Sequence, residues 1–188
     1  MPLAKPTTSL SDPLMDETIL VSSAQRDPAQ FAALYDRYFR PIYHYLYNRA
    51  GSRADAEDLT AQTFLAALEA LPGYRHRGHF AAWLFTIARN KARDFNRNGV
   101  SQAPLDENHP DGSEDLLSQA VRNDQIKQLA NLFKKSTEDE QELMRLRYVA
   151  DLSFVEIGVC LGRKEDTVKK TFYRLLARLQ DQLGVSHD

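Results

Sequence analysis

The chain has 188 residues, 43% of them apolar and 27% charged, with a formal net charge of −2. That length can bury one ordinary core or two small ones, and so small a net charge means that any affinity for nucleic acid must come from how charges are arranged. The single cysteine, Cys160, excludes an intramolecular disulfide, no apolar run approaches the ~20 residues of a membrane span, and no signal peptide is recognised, so a reducing cytoplasm is expected, with Cys160 as a small buried hydrophobe.

Residues 1–25 hold Pro2, Pro6 and Pro13 among Ser and Thr and read as a largely disordered leader. Order is expected from Asp27-Pro28, an N-cap followed by proline at the first helical position. From there Phe31, Leu34, Tyr35, Tyr38, Phe39, Ile42, Tyr45 and Leu46 recur at helical spacing, with Pro41 expected to kink the helix. A second helix is expected over 52–71, ended by Pro72-Gly73. A third is expected over 79–97, with Phe80, Trp83, Leu84, Ile87 and Ala88 on one side. No stretch alternates with period two, so no sheet is expected.

The chemistry then changes. Residues 99–119 contain Asp106, Glu107, Asp111, Glu114 and Asp115 and no Lys or Arg, a composition that cannot offset its own ordering entropy and reads as a linker. Helical pattern resumes near Asp124 with Ile126, Leu129, Leu132 and Phe133. Another helix starts at Thr137, which caps while Glu140 reaches back, and Ser153 with Glu156 repeats that spacing. The expected fold is all-α: two small helical domains at 26–98 and 122–183, joined by an acidic tether at 99–121.

The last sixty residues end in a short helix, a turn entered at Gly162, and a longer helix with a basic outer face, the pattern of a helix-turn-helix. On a helical wheel Val168, Phe172, Leu175, Leu176 and Leu179 share one arc of roughly 100°. Lys170, Tyr173, Arg174 and Ala177 lie opposite, flanked by Lys169 and Arg178. Such cations can bond phosphate oxygens and the O6 and N7 edge of guanine, which makes duplex DNA the first candidate partner.

A second basic cluster, Arg75, Arg77, Arg89, Lys91, Arg93 and Arg97, is interleaved with Tyr74, Phe80, Trp83, Phe85 and Phe95. Single-stranded nucleic acid needs charges along its backbone and flat surfaces for unstacked bases. Phe80 and Trp83 fit the apolar stripe, so the binding role is placed on the loop from Tyr74 to His79 and on Arg89, Asn90, Arg93 and Arg97. Asp55, Glu57 and Asp58 suit the positive end of their helix. They have no companion histidine, lysine or metal-ligand pattern, and no nucleotide or nucleophile motif occurs, so no enzyme activity, cofactor or metal is expected.

Asp55-Ala56-Glu57-Asp58-Leu59-Thr60-Ala61-Gln62-Thr63-Phe64-Leu65, then Phe80-Ala81-Ala82-Trp83-Leu84-Phe85-Thr86-Ile87-Ala88-Arg89-Asn90, then Leu152-Ser153-Phe154-Val155-Glu156-Ile157-Gly158 with Thr167-Val168-Lys169 resemble the successive signatures of a bacterial extracytoplasmic-function (ECF) sigma factor of the sigma-70 family. The resemblance spans roughly residues 26 to 182. It implies a promoter-recognising subunit whose first domain docks on the β′ clamp helices of core RNA polymerase through Asp55, Glu57, Asp58, Gln62 and Leu65. It also implies capture of an unpaired base of the minus-ten element by Asn90 and the Tyr74–His79 loop, with Arg75, Arg77, Arg89, Arg93 and Arg97 on the DNA. The last domain would rest on the β flap and read the minus-thirty-five element through Arg163, Lys164, Thr167, Lys169, Lys170, Tyr173, Arg174 and Arg178. An anti-sigma partner is implied too, although no residue reveals one. Asp166 and the Lys170-Thr171 pair depart from the family's usual pattern, so the promoter sequence is not inferred.

Two rival readings differ in what they leave unexplained. A stand-alone helix-turn-helix regulator accounts for residues 137–182 but not for the acidic second helix or the aromatic-basic third. A nucleic-acid-processing enzyme needs convergent carboxylates or histidines that the chain does not offer.

Overall fold

Capping and apolar spacing set the helices of this protein, described by a computed structural model at residues 13–75, 78–97 and 128–184, with side chains from Glu17 onward. α1 spans Pro13–Arg26 and corrects the expectation of a disordered leader for residues 13–25. Pro13 occupies the first helical position, where its missing N–H has no partner to lose. Val21 and Ala24 are buried in the core, which a composition of Pro, Ser and Thr gave no reason to expect.

Asp27 caps a 3-10 turn, Pro28–Gln30, by accepting from the Ala29 N–H at 3.0 Å, and that turn leads into α2, Phe31–Ala50. α2 continues through Pro41 because Tyr38, Ile42, Tyr45 and Leu46 are buried on both sides of it. Gly51, at φ 76°, closes the helix in the left-handed region. α3, Arg53–Ala70, is capped by Ser52, whose hydroxyl accepts from the Asp55 N–H at 3.2 Å. A 3-10 turn, Leu71–Gly73, ends it, and α4 runs Phe80–Arg97.

Helical backbone at 128–135 (α5) precedes α6, Glu138–Met144, and a π-helical segment, Arg145–Val149. α7, Phe154–Leu161, and α8, Glu165–Leu183, form the helix-turn-helix. Both expected capping boxes are present, Thr137 with Glu140 and Ser153 with Glu156. Gly162 takes φ 65° at the turn. Among the described residues every regular element is helical, and no helix is long and apolar enough to cross a membrane. Residues 98–127, which include the expected acidic linker, lie outside the described residues, as do 1–12 of the leader.

Two apolar groups meet in one cluster. Leu34, Ile42, Leu46, Phe64, Phe80, Leu84 and Phe85 fill the space between α2, α3 and α4; Leu143, Leu146, Ile157, Val168 and Phe172 fill that between α6, α7 and α8. The cluster is continuous because α7 packs against α4, and the π-helical segment packs against α2.

Candidate nucleic-acid interface

The second helix of the helix-turn-helix is aimed by its first. Arg163 N–H donates to Gly158 O at 2.8 Å, folding the turn back across α7. A Cβ on Gly158 would lie 2.7 Å from the Arg163 carbonyl oxygen, so only glycine leaves room. Sequence reasoning placed the turn at Gly162 and missed this requirement, which is a contact rather than a backbone angle.

On α8, Val168, Phe172, Leu175 and Leu179 are buried, as their arc predicts, while Leu176 is half-buried. Lys164, Thr167, Lys170, Tyr173 and Arg174 are exposed. Among the described residues no carboxylate pairs with Lys170 or Arg174, whereas three other cations are engaged. Lys169 pairs with Glu165 at 2.7 Å, Arg178 with Glu140 at 2.8 Å, and Arg163 with Asp139 of α6. Arg178 beside Glu140, together with the bonds from Thr137, holds the Glu140 carboxyl below the usual range despite some opposing desolvation. Tyr173 leans on Phe154 of α7, ring centroids 5.9 Å apart, so one side of it is supported and the other faces solvent.

The second surface lies on α4. Asn90, Arg93 and Arg97 are exposed and, with Asp94, line an open depression of about 410 Å³. Arg97 contacts Asp94 at 3.3 Å. Arg75 is exposed and follows Tyr74, whose ring packs against Trp83 at 4.5 Å and Phe80 at 5.6 Å. His76 and Arg77 lie outside the described residues. Arg89 is set apart from the rest: its side chain is 21% exposed and its Nε lies 3.4 Å from Glu142 Oε1, across the seam between the two helical groups.

Glu142 is the hub of that seam. Its Oε1 accepts the Tyr45 hydroxyl at 2.5 Å, and its Oε2 accepts from Arg49 Nη1 at 2.8 Å. Arg49 also donates to Glu138, and Arg145 stands 3.8 Å from Glu142. Burial pushes the Arg145 pKa down, helped by the Arg49 charge, while for Arg49 burial is outweighed by Glu142 and its neighbours. Desolvation beside the Glu142 carboxylate pushes the Tyr45 hydroxyl far above its ordinary value, so it stays a donor. Cys160 on α7 lies in the same seam, its thiol against the Thr86 hydroxyl of α4, and burial pushes it up to about 11. Neither Glu142 nor Arg49 stood out in the sequence, since their partners are far away along the chain.

The outer face of α3 has a different character. Glu57, Asp58, Gln62 and Leu65 are exposed, Leu65 by 58%, while Asp55 is half-buried and accepts a hydrogen bond from the Ser52 hydroxyl at 2.5 Å. Gln62 donates to Asp58 at 2.7 Å, and Arg53 pairs with Glu57 at 2.8 Å. Leu68 adds a second exposed apolar side chain to an otherwise acidic surface. No group of His, Cys, Asp and Glu among the described residues is arranged to hold a metal ion.

Comparison with known proteins converges on one family. Residues 34–100, from α2 through α4, match sigma-70 region 2. The chain is 35% identical over 169 residues to the ECF RNA polymerase sigma factor BldN of Streptomyces coelicolor, covering 85% of this chain and 63% of that protein. It is 31% identical over 137 residues to the ECF RNA polymerase sigma factor ShbA of Streptomyces griseus, covering 69% of this chain and 72% of that protein. In fold it is similar to CnrH, solved in complex with the cytosolic domain of CnrY, with a TM-score of 0.65 at 24% identity, covering 90% of this chain and 97% of that one. The chain thus spans less than two thirds of BldN and nearly all of CnrH.

Proposed function

From the premise that this chain belongs to the ECF sigma factors of the sigma-70 family, we propose that it binds core RNA polymerase and directs promoter-specific initiation. The observation that carries this reading is the pair of exposed cation-bearing surfaces, on α8 and on α4, displayed by one chain beside the acidic, leucine-bearing face of α3. Each surface suits a different partner, and a sigma factor needs all three.

α8 supports reading of the minus-thirty-five duplex. Lys170 and Arg174 reach outward with no described carboxylate to neutralise them, and Thr167 and Tyr173 are exposed beside them. The α4 depression, with Asn90, Arg93 and Arg97, supports contact with the opened minus-ten strand, and Tyr74 and Arg75 belong to the same surface in this reading. An extruded base costs a few kcal/mol in lost stacking and pairing. A pocket and phosphate contacts offset that cost and favour promoters that open easily. The α3 face supports docking on the β′ clamp helices, with α6–α8 on the β flap.

In this role the chain makes and breaks no covalent bond: the polymerase supplies catalysis and the sigma factor supplies selectivity, in the cytoplasm. The sigma factor RpoE of Bartonella quintana, also similar in fold, was solved in complex with the anti-sigma factor NepR, which supports an anti-sigma partner for this chain as well.

In vitro transcription with purified core polymerase tests the proposal. The expected result is initiation at specific start sites only when this protein is added. Tight duplex binding without polymerase, and no effect on initiation, would instead support a stand-alone helix-turn-helix regulator.

A further inference from the structure

α1 grips both ends of the segment that joins α3 to α4. At the near end, Gln25 Nε2 donates to Leu71 O at 3.0 Å and to Tyr74 O at 2.6 Å. At the far end, Glu17 Oε1 accepts from the Phe80 N–H at 3.2 Å, and Glu17 Oε2 accepts the Tyr38 hydroxyl. Phe80 is the first residue of α4, and its N–H is one of the donors that a helix start leaves without an internal partner. Glu17 supplies that partner, and its carboxylate also suits the positive end of the helix. Glu17 is only 6% exposed, and burial together with its carboxylate pushes Tyr38 far above the ordinary tyrosine value, so the Tyr38 hydroxyl remains a donor to it.

The grip passes directly into the aromatic group around the segment. Tyr74, held by Gln25 through its carbonyl, packs against Trp83, and Trp83 packs against Phe80 at 5.3 Å. α1 therefore fixes Tyr74 and Phe80, together with the Trp83 ring packed against both. Holding a binding residue by its backbone lowers the ordering cost of what it binds.

We infer that Glu17 and Gln25 are positioning residues that set minus-ten selectivity, acting through the anchors Tyr74 and Phe80 without touching DNA. This rests on the reading of Tyr74 and Arg75 as part of the minus-ten surface. It gives α1, a segment before the matched family region at 34–100, a specific part in promoter choice.

The test uses the full chain with Gln25→Ala, Glu17→Ala, Glu17→Gln and, as a reference, Arg75→Ala. Acrylamide quenching of Trp83, the single tryptophan, reports the loop anchors without DNA. Transcription with core polymerase on promoters altered singly in either element reports selectivity. Gln25→Ala and Glu17→Ala should raise quenching and lower minus-ten discrimination about five- to tenfold, the range that one or two hydrogen bonds control. Discrimination at the minus-thirty-five element should not change. Glu17→Gln should retain most of the discrimination, because its amide oxygen still accepts from Phe80 and its NH₂ can bond the Tyr38 oxygen.

Unchanged minus-ten discrimination in Gln25→Ala, where Arg75→Ala lowers it, would overturn the inference. So would equal losses at both elements, or Glu17→Gln behaving like Glu17→Ala, since either marks general destabilisation. If Arg75→Ala also has no effect on the minus-ten element, the reading of Tyr74 and Arg75 as part of that surface fails by itself. Trp83 quenching then decides the positioning part: a rise sustains it and no change ends it.

Discussion

The Tyr45 hydroxyl of α2 donates to Glu142 Oε1 of α6 at 2.5 Å, across the seam that joins the two helical groups and 97 residues away along the chain. Arg49, Arg89 and Arg145 surround the same carboxylate, and Arg49 and Arg145 also face Glu138. Arg49 Nε and Arg145 Nη1 are buried without a hydrogen-bond partner, and a buried unsatisfied donor costs about 1–3 kcal/mol. The seam is therefore held by a strong hub with imperfect edges.

Glu142→Gln should loosen that seam, because it leaves Glu138 alone to balance Arg49 and Arg145 and takes from Arg89 its described carboxylate partner. Removing one partner of a buried ion cluster costs about 3–5 kcal/mol, which is a Tm drop of several degrees or more. Cys160 provides a local readout, being the single thiol and lying against Thr86 of α4. Maleimide labelling should be slow in the unmodified protein and faster in Glu142→Gln, before global unfolding. Equal labelling rates would show that Glu142 does not hold α7 on α4.

Stability should fall on the alkaline side as well. The Cys160 thiol is raised from 9.0 to about 11 by burial, so between those values the unfolded chain releases a proton that the folded chain keeps. A group raised in this way contributes stability below its unfolded pKa and loses it as pH rises through the folded one. Tyr38 and Tyr45, both raised, extend the loss above pH 10. Urea midpoints should be flat near pH 8 and decline from about pH 9 upward. Cys160→Ala should remove the earliest part of that decline.

What the sequence disclosed was local. The capping boxes at Thr137 and Ser153, and the buried arc Val168, Phe172, Leu175 and Leu179, follow from spacings of three and four, which a helix makes adjacent. What it concealed depends on distance along the chain. Gln25 meets Tyr74 from 49 residues away and Arg49 meets Glu142 from 93, and neither pair leaves a periodic trace. α1 was hidden for another reason: Pro13 is tolerated at a helix start, and burial of Val21 and Ala24, not propensity, makes the rest of the helix worthwhile. Arg89 read as one more cation on the α4 face, because only the fold brings Glu142 beside it.

Gly158→Ala should disturb the angle between α7 and α8. The added methyl would meet the Arg163 carbonyl oxygen at 2.7 Å, and a backbone atom cannot swing aside as a side chain does. Overpacking of this kind costs about 1–3 kcal/mol. The expected outcome is a lower Tm together with weaker minus-thirty-five duplex binding. Unchanged binding would mean that the turn can widen without moving Lys170 and Arg174.

On α3, Asp58→Lys and Leu65→Asp should weaken association with core polymerase while sparing the fold. Both side chains are exposed, and surface substitutions usually change stability by no more than about 0.5 kcal/mol. Native gel shifts with core polymerase measure the first effect and thermal melts the second. A normal gel shift with both variants would move the docking face away from α3.

The α8 surface makes the sharpest separation of roles, because its cations differ in what they already touch. Lys170 and Arg174 meet no described carboxylate, while Arg163 and Arg178 are paired with Asp139 and Glu140. Exposed pairs of this kind are worth only about 0–1 kcal/mol, so DNA can draw Arg163 and Arg178 away at small cost, whereas Lys170 and Arg174 need no such exchange. Removing a cation that neutralises one phosphate should reduce the slope of log affinity against log salt by about 0.9. Lys170→Ala and Arg174→Ala should each flatten the slope for the minus-thirty-five duplex by about that amount and leave core-polymerase binding intact. Arg163→Ala should flatten it less and should also lower Tm slightly, since α6 loses its tie to the turn. The ordering is decided by titrating all three variants across a salt series, and a larger effect from Arg163 than from Arg174 would place the phosphate track nearer the turn than the outer face of α8.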